Sequence, residues 1–344
     1  MPYDPGGYKF DVTEFLTDKC FAALTDVRVS RPEAVCDHAL ARKRRESLTR
    51  DGKLVILAAD HPGRNITKSG DDPLIMGNRQ EYLGRVLRVV TSGEVDGLMG
   101  TPDIIEDALV ADMLVQEGGG ASFLDGKILM GSMNRGGLAG ASFEMDDKYT
   151  SFTADSIADL NMDAAKIMFR LDLTSADSGN TIHSSAQAID ECHELGITVF
   201  VEPLPVVHVD GKYNVQKEAG ELMKIAGVAS AVGGSSLLTW LKMPYCAGYD
   251  RVARATTLPI LMLGGESLGN PTPIIEDFAK GMAAGPNVRG ALCGRNILFP
   301  GDDDPRAVAA AVSAVVHEGA SADSAIDKLQ SVRGTVMGCL SKFI

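Results

Sequence analysis

Eight short, almost unbroken apolar runs constrain the fold more than any other feature of the chain. They are residues 53–59 (KLVILAA), 95–99 (VDGLM), 127–131 (KILMG), 165–173 (AKIMFRLDL), 197–203 (ITVFVEP), 236–242 (SLLTWLK), 259–263 (PILML) and 290–294 (GALCG). A strand with one wet face alternates apolar and polar residues. These runs do not, which is the pattern of parallel strands covered on both faces. Amphipathic stretches fall between them at 73–91, 101–117, 184–195, 214–231, 271–284 and 305–317. Three of these open on a cap residue followed by proline (Asp72-Pro73, Thr101-Pro102, Asp304-Pro305), as helix starts do. Eight strands alternating with helices predict an α/β fold, a (β/α)₈ TIM barrel. A doubly wound open sheet is the alternative, because a strand count does not by itself close a sheet.

Residues 1–50 stand outside that repeat. Helices are predicted at 10–25 and 32–48, the second carrying Arg42-Lys43-Arg44-Arg45. That basic cluster has two readings: a site for an acidic partner, or a solvated helix face at a subunit contact. The acidic whole favours the second. The expected organisation is an N-terminal helical extension over 1–50 and one barrel domain over 51–344, a length that barrels reach as single domains.

Charge and cysteines narrow the function classes. Forty-six acidic against 33 basic residues give a net charge of −13, which disfavours nucleic acid or an anionic membrane as a partner. Six cysteines (Cys20, Cys36, Cys192, Cys246, Cys293, Cys339) show no C-x-x-C pairing and no disulfide framework. The N-terminal residues lack the order of a secretory signal, and no apolar run approaches the roughly 18 residues of a membrane span. A cytoplasmic protein, assembled as a homo-oligomer, is expected.

Barrel chemistry gathers at the C-terminal strand ends. Asp60 and His61 follow the first strand. Lys166, Arg170 and Asp172 interrupt the fourth, Glu202 ends the fifth, and Lys242 lies in TWLKMPY of the sixth. A lysine in an apolar strand must snorkel to water or be functional. Burial and a second cation such as Lys166 would lower its proton affinity and expose a nucleophilic amine able to form a Schiff base. The plainer reading is an ion pair with Glu202 or Asp60. Those two carboxylates are candidates for the proton steps, or counter-ions only. Lys166 sits near the start of its strand, so a surface position is open, with Arg170 facing inward instead. The glycine turns Gly264-Gly265-Glu266-Ser267 and Gly294-Arg295-Asn296 follow the seventh and eighth strands, where a phosphate cradle is commonly built, and Arg295 would add a bidentate contact.

Other motifs fail. Gly120 to Lys127 has the wrong length for a Walker A loop, and Gly136-Gly137-Leu138-Ala139-Gly140 has the wrong spacing for a dinucleotide fingerprint. His61, His183 and His208 each follow a strand, but no H-x-H or HExxH spacing supports zinc. No metal and no cofactor is expected.

Taken in order, Asp60-His61, Lys242 in LKMPY, the GGES turn and Gly294-Arg295-Asn296-Ile297 resemble the archaeal-type class I fructose-bisphosphate aldolases. Val201-Glu202-Pro203-Leu204 with Lys166 upstream resembles the tagatose-bisphosphate branch of the same superfamily, which also includes the deoxyribose-phosphate aldolases. The resemblance spans residues 53–299. It implies Lys242 as the Schiff-base lysine, Glu202 and Asp60 as proton-handling groups and Lys166 near the substrate. It also implies a phosphorylated keto sugar held at Gly265, Gly294 and Arg295. His-Pro-Gly-Arg in place of His-Gly after the first strand, and the N-terminal extension, depart from the pattern. The chain also resembles an actinobacterial aldolase-like group linked to inositol breakdown, which implies 5-dehydro-2-deoxy-phosphogluconate. The expected reaction is cofactor-independent aldol cleavage releasing dihydroxyacetone phosphate. A retro-Claisen acyl transfer on the same lysine, or a phosphosugar-binding barrel without turnover, are the alternatives.

Overall fold

The computed structural model describes residues 3–135 and 138–344; Gly136 and Gly137 of the glycine run discussed above lie outside them. Nine strands occur among the described residues. They are β1 (Leu54–Ala59), β2 (Gly97–Gly100), β3 (Ile128–Ser132), β4 (Ala164–Leu171), β5 (Thr198–Val209), β6 (Lys212–Val215), β7 (Thr239–Pro244), β8 (Ile260–Leu263) and β9 (Val288–Cys293). Eight pair in parallel in the order β4-β3-β2-β1-β9-β8-β7-β5, and the β4–β5 pairing closes the ring. The sheet is therefore a closed barrel, and the open-sheet alternative is excluded. The ninth strand, β6, pairs antiparallel with the far end of β5 in a hairpin that stands above the barrel.

The helices, three of them ahead of β1 and the rest in the α/β repeat and after it, pack outside the ring. They include α1 (Val12–Phe15), α2 (Asp18–Ser30), α3 (Ala34–Ala41), α4 (Arg79–Val90), α5 (Pro102–Glu117), α6 (Ala154–Asp159), α7 (Asp177–Glu194) and α8 (Ala219–Ser230). They continue with α9 (Tyr249–Ala253), α10 (Thr272–Met282), α11 (Arg295–Leu298), α12 (Pro305–Ser313) and α13 (Ala322–Val332). Asp304 caps α12 as expected, accepting from the Arg306 N–H at 3.0 Å, with Pro305 at the first helical position. Thr101 stands before α5 with Pro102 inside.

Several predicted boundaries move for local reasons. The helix expected from residue 73 starts at Arg79, capped by Asn78, while Asp72 accepts from Leu74 N–H in a preceding turn. The helix expected over 214–231 begins at Ala219, because Asn214 and Val215 belong to β6. The fourth strand stops at Leu171; Asp172 turns back to accept from Thr174. The helix expected over 10–25 is two, since Thr17 accepts from Cys20 N–H and starts a new one.

The second N-terminal helix ends at Ala41, not at 48, and the basic cluster leaves it in extended conformation. Its arginines then run beneath the barrel, at the N-terminal strand ends. Arg42 meets Asp163 at 2.8 Å and the Lys127 and Asn161 carbonyls, Arg44 meets the other Asp163 oxygen, and Arg45 meets Asp96. The cluster is thus neither a solvated helix face nor a site for an acidic partner. All four of its cations pair within the chain, Lys43 with Asp125 at 3.5 Å on the exposed side. No helix among the described residues is long and apolar enough to cross a membrane.

Candidate active site

Strand side chains alternate between barrel interior and helix layer with period two. The interior floor is apolar: Leu54, Ile56, Met99, Ile128, Met130, Ala164, Phe200, Leu261 and Leu292 form one buried cluster, with Trp240 against it. One inward step further along the strands, charge replaces it. Ala164 on β4 is followed inward by Lys166, Phe200 on β5 by Glu202, and Trp240 on β7 by Lys242. Register sets these side by side, with Met168 opposite Glu202 and Phe200 opposite Trp240. Asp60, just past β1, completes the layer.

The four side chains form one buried network. Glu202 Oε2 receives Lys166 Nζ at 2.8 Å and Lys242 Nζ at 2.9 Å. Lys166 also donates to Asp60 Oδ2 at 3.3 Å. Lys166 is completely buried, so its alternative surface position is excluded, and both it and Arg170 face inward. Burial pushes the Lys242 amine below the ordinary lysine value; Glu202 opposes this and the Lys166 charge adds to it. Burial acts to raise Glu202, but the two lysines outweigh it and hold the carboxyl down to about 2. Asp60 is likewise held well below the usual carboxylate range, chiefly by Lys166 and Arg64 against the effect of burial. The arrangement favours two ionised carboxylates beside a Lys242 amine whose hold on its proton is weakened.

Above this layer lies a cavity of about 530 Å³ at the C-terminal strand ends, within the size range of small-molecule sites. Lys242, Glu202, His61, Arg170, Gly264, Gly265, Glu266, Gly294 and Arg295 all line it, while Lys166 and Asp60 lie beneath. Burial pushes the His61 imidazole down to about 3; Asp60 pulls the other way, and Arg295 and Arg64 reinforce burial. Tyr82 OH approaches His61 Nδ1 at 3.5 Å from α4. Two loops require glycine. A Cβ on Gly294 would lie 2.3 Å from the Ala58 carbonyl oxygen and 2.6 Å from His61 Cε1. Gly265 has φ +71, which places its backbone in the left-handed region. Asn296 Nδ2 donates to the Gly264 carbonyl at 2.7 Å and joins the two turns.

Arg170 is bound by Glu144, through both the carboxylate and the carbonyl, so it presents a neutralised pair to the cavity. His183 and His208 are exposed on α7 and on the hairpin. Among the described residues no group of three or more His, Cys, Asp or Glu side chains is placed to hold a metal ion. The sequence reading missed Arg64, Glu144, Tyr213 and Lys217, all of which line the cavity. Tyr213 and Lys217 arrive with the hairpin, whose two-residue Asp210-Gly211 turn, both residues at positive φ, was the available signal. Arg64 was visible only as the last residue of the departing His-Pro-Gly-Arg segment.

The family model described as Cgl0159-like matches residues 52–316. The crystal structure of Cgl0159 from Corynebacterium glutamicum is 36% identical, with TM-score 0.81 over 88% of this chain and 99% of that one. An archaeal fructose 1,6-bisphosphate aldolase is 16% identical, with TM-score 0.56 over 83% and 100%. A Schiff-base-forming fructose-1,6-bisphosphate aldolase is 17% identical, with TM-score 0.54 over 82% and 100%. At these identities the two aldolases establish the shared fold.

Proposed function

The chain belongs to the Cgl0159-like family, and on that premise we propose that it is a class I aldolase cleaving a phosphorylated keto sugar or keto-sugar acid through Lys242. One observation carries the reading. Lys242 Nζ is buried at the floor of the cavity, 2.9 Å from Glu202, with its proton affinity lowered by burial and by Lys166. A structural ion pair would not need the second lysine on the same carboxylate oxygen. The barrel shared with Schiff-base aldolases supports the same conclusion.

In this mechanism the free Lys242 amine attacks the substrate carbonyl carbon and forms a carbinolamine. Loss of water gives the iminium, which withdraws electrons from the adjacent carbon. Glu202, held ionised, takes the proton of the hydroxyl one carbon further along. The carbon–carbon bond breaks as that oxygen becomes an aldehyde, and its electron pair passes to the iminium to give an enamine. Glu202 returns the proton to the enamine carbon, and water releases the ketone, dihydroxyacetone phosphate in the simplest case. Lys166, held between Asp60 and Glu202, weighs against the Lys242 proton and so favours the free amine. The turns at Gly264-Gly265 and Gly294-Arg295 hold the phosphate.

Borohydride reduction in the presence of phosphorylated ketoses should leave a stable adduct on Lys242, located by mass spectrometry. The ketose panel includes fructose 1,6-bisphosphate, tagatose 1,6-bisphosphate and 5-dehydro-2-deoxy-phosphogluconate. Lys242→Met should abolish both adduct and cleavage. A fully active Lys242→Met enzyme sinks the proposal. Dependence on coenzyme A would instead favour acyl transfer.

A further inference from the structure

Two guanidinium groups face the cavity from loops that meet where the last strand closes on the first. Arg64 ends the short turn Pro62–Arg64 after β1, and Arg295 opens α11 after β9. The loops touch, since Gly294 lies against the Ala58 carbonyl and His61. The backbone at Arg64 is fixed independently of its side chain. Asn65 is left-handed with φ 62. The Asn65 side-chain Nδ2 donates to the Ala139 carbonyl at 3.0 Å, and Ala139 N–H donates back to the Arg64 carbonyl at 3.1 Å.

Neither guanidinium has a close carboxylate to itself, although Glu266 lies on the adjoining turn. The carboxylate paired with Arg64 is Asp60, at 3.8 Å, and Asp60 already serves Lys166 at 3.3 Å. Among the described residues Arg295 has no ion-pair partner, and the Nε atoms of both arginines are buried without a hydrogen-bond partner. Burial lowers Arg295; Glu266 opposes this, and the charge of Arg64 adds to it. Neighbouring cations in a partly desolvated pocket are unfavourable until an anion joins them. Two guanidinium forks suit a group with about two negative charges and three oxygens; one carboxylate is satisfied by a single fork.

We propose that Arg64 determines specificity in this cavity: with Arg295 it holds a dianionic phosphate and selects phosphorylated ketoses over their unphosphorylated counterparts. The assignment of the ketose rests on the aldolase reading; the anion site does not. The same group arrives on a substrate or as free inorganic phosphate, and two experiments separate these sources.

The first titrates the full-length protein with inorganic phosphate, and separately with acetate, by calorimetry at constant ionic strength. Wild type should bind phosphate the more tightly. Arg64→Gln should weaken phosphate about 10- to 100-fold, the worth of a charged hydrogen-bonding group, and erase the preference over acetate. The second compares borohydride trapping of dihydroxyacetone phosphate and dihydroxyacetone on Lys242; the ratio of the two rates should fall at least tenfold in Arg64→Gln. Equal phosphate affinity in wild type and Arg64→Gln overturns the proposal whatever the trapping shows. If neither ketone traps in wild type, the aldolase reading falls and the phosphate titration still decides Arg64. Should Arg64→Gln fail to fold, Arg64→Lys decides. A severalfold loss of phosphate affinity with a reduced preference over acetate supports the fork, and wild-type values overturn it.

Discussion

A single oxygen, Glu202 Oε2, receives two ammonium groups, and that sharing sets the chemistry of both lysines. Lys166 is the partner whose charge weighs against the Lys242 proton. Replacing it with Gln removes that charge and leaves Asp60 and Glu202 acting on Lys242 alone. The Lys242 value therefore rises, and the pH at which trapping becomes efficient moves upward. A trapping-versus-pH profile that stays in place or moves down would contradict the assignment of roles. Glu202→Gln keeps a hydrogen-bond acceptor but removes the proton carrier. Cleavage should slow by about 100- to 10,000-fold, the usual worth of positioned proton transfer. A kcat within a factor of three of wild type would reassign that role, with Asp60 the next candidate. Lys166, Glu202 and Lys242 were legible in the sequence because each breaks an apolar strand at an inward position, and Asp60 because it ends the first one. Arg64 was not, since a loop arginine carries no such contrast with its neighbours.

At the scale of elements, the eight barrel strands and most helices could be read from apolar runs and caps. The exceptions share a cause: tertiary contacts overrode the local pattern. Basic residues at 42–45 continue a helical composition, but Asp163 and Asp96 at the strand ends draw them out of the helix. The sequence places the end of the fifth strand at residue 203 and the next helix from 214, with Pro203 and Pro205 at the expected strand end. In the structure both are inside β5, and Pro205 marks the point where the strand leaves the barrel to pair with β6. The buried Arg42–Asp163 pair yields a prediction. Arg42→Ala strands a carboxylate whose remaining partners are Arg44 and Leu129 N–H, and should cost about 3 kcal/mol. Denaturant unfolding checks this, and a loss below about 1 kcal/mol would mean that Arg44 alone neutralises Asp163.

For the whole molecule, the net charge of −13 is a bulk property that does not describe the cavity, where Arg64, Lys242 and Arg295 come together. One surface ion cluster gives stability a pH dependence. His317 bridges Asp51 at 2.8 Å and Asp96 at 2.9 Å, with Arg45 on the other Asp96 oxygen. Hydrogen bonding to Asp96 raises His317 above its ordinary value, whereas Asp96 is held down to about 2 and Asp51 is lowered. The histidine contribution is complete below its unfolded value near 6.5 and fades as pH rises through the folded one. The aspartate contribution is complete above about 3.8 and fades as pH falls. The cluster should therefore help most between about pH 4 and 6.5. Chemical denaturation of wild type and His317→Gln should differ more at pH 5 than at pH 8.5; the reverse order would refute the assignment. The contact of Gly294 with His61 has a further meaning for biosynthesis. It joins the first barrel strand to the last. A nascent chain that has emerged only through β8 already carries Asp60, Lys166, Glu202 and Lys242, but lacks the wall opposite His61. Until β9 is delivered, the edge of β1 that pairs with it has no partner and the ring around the lysines is not closed.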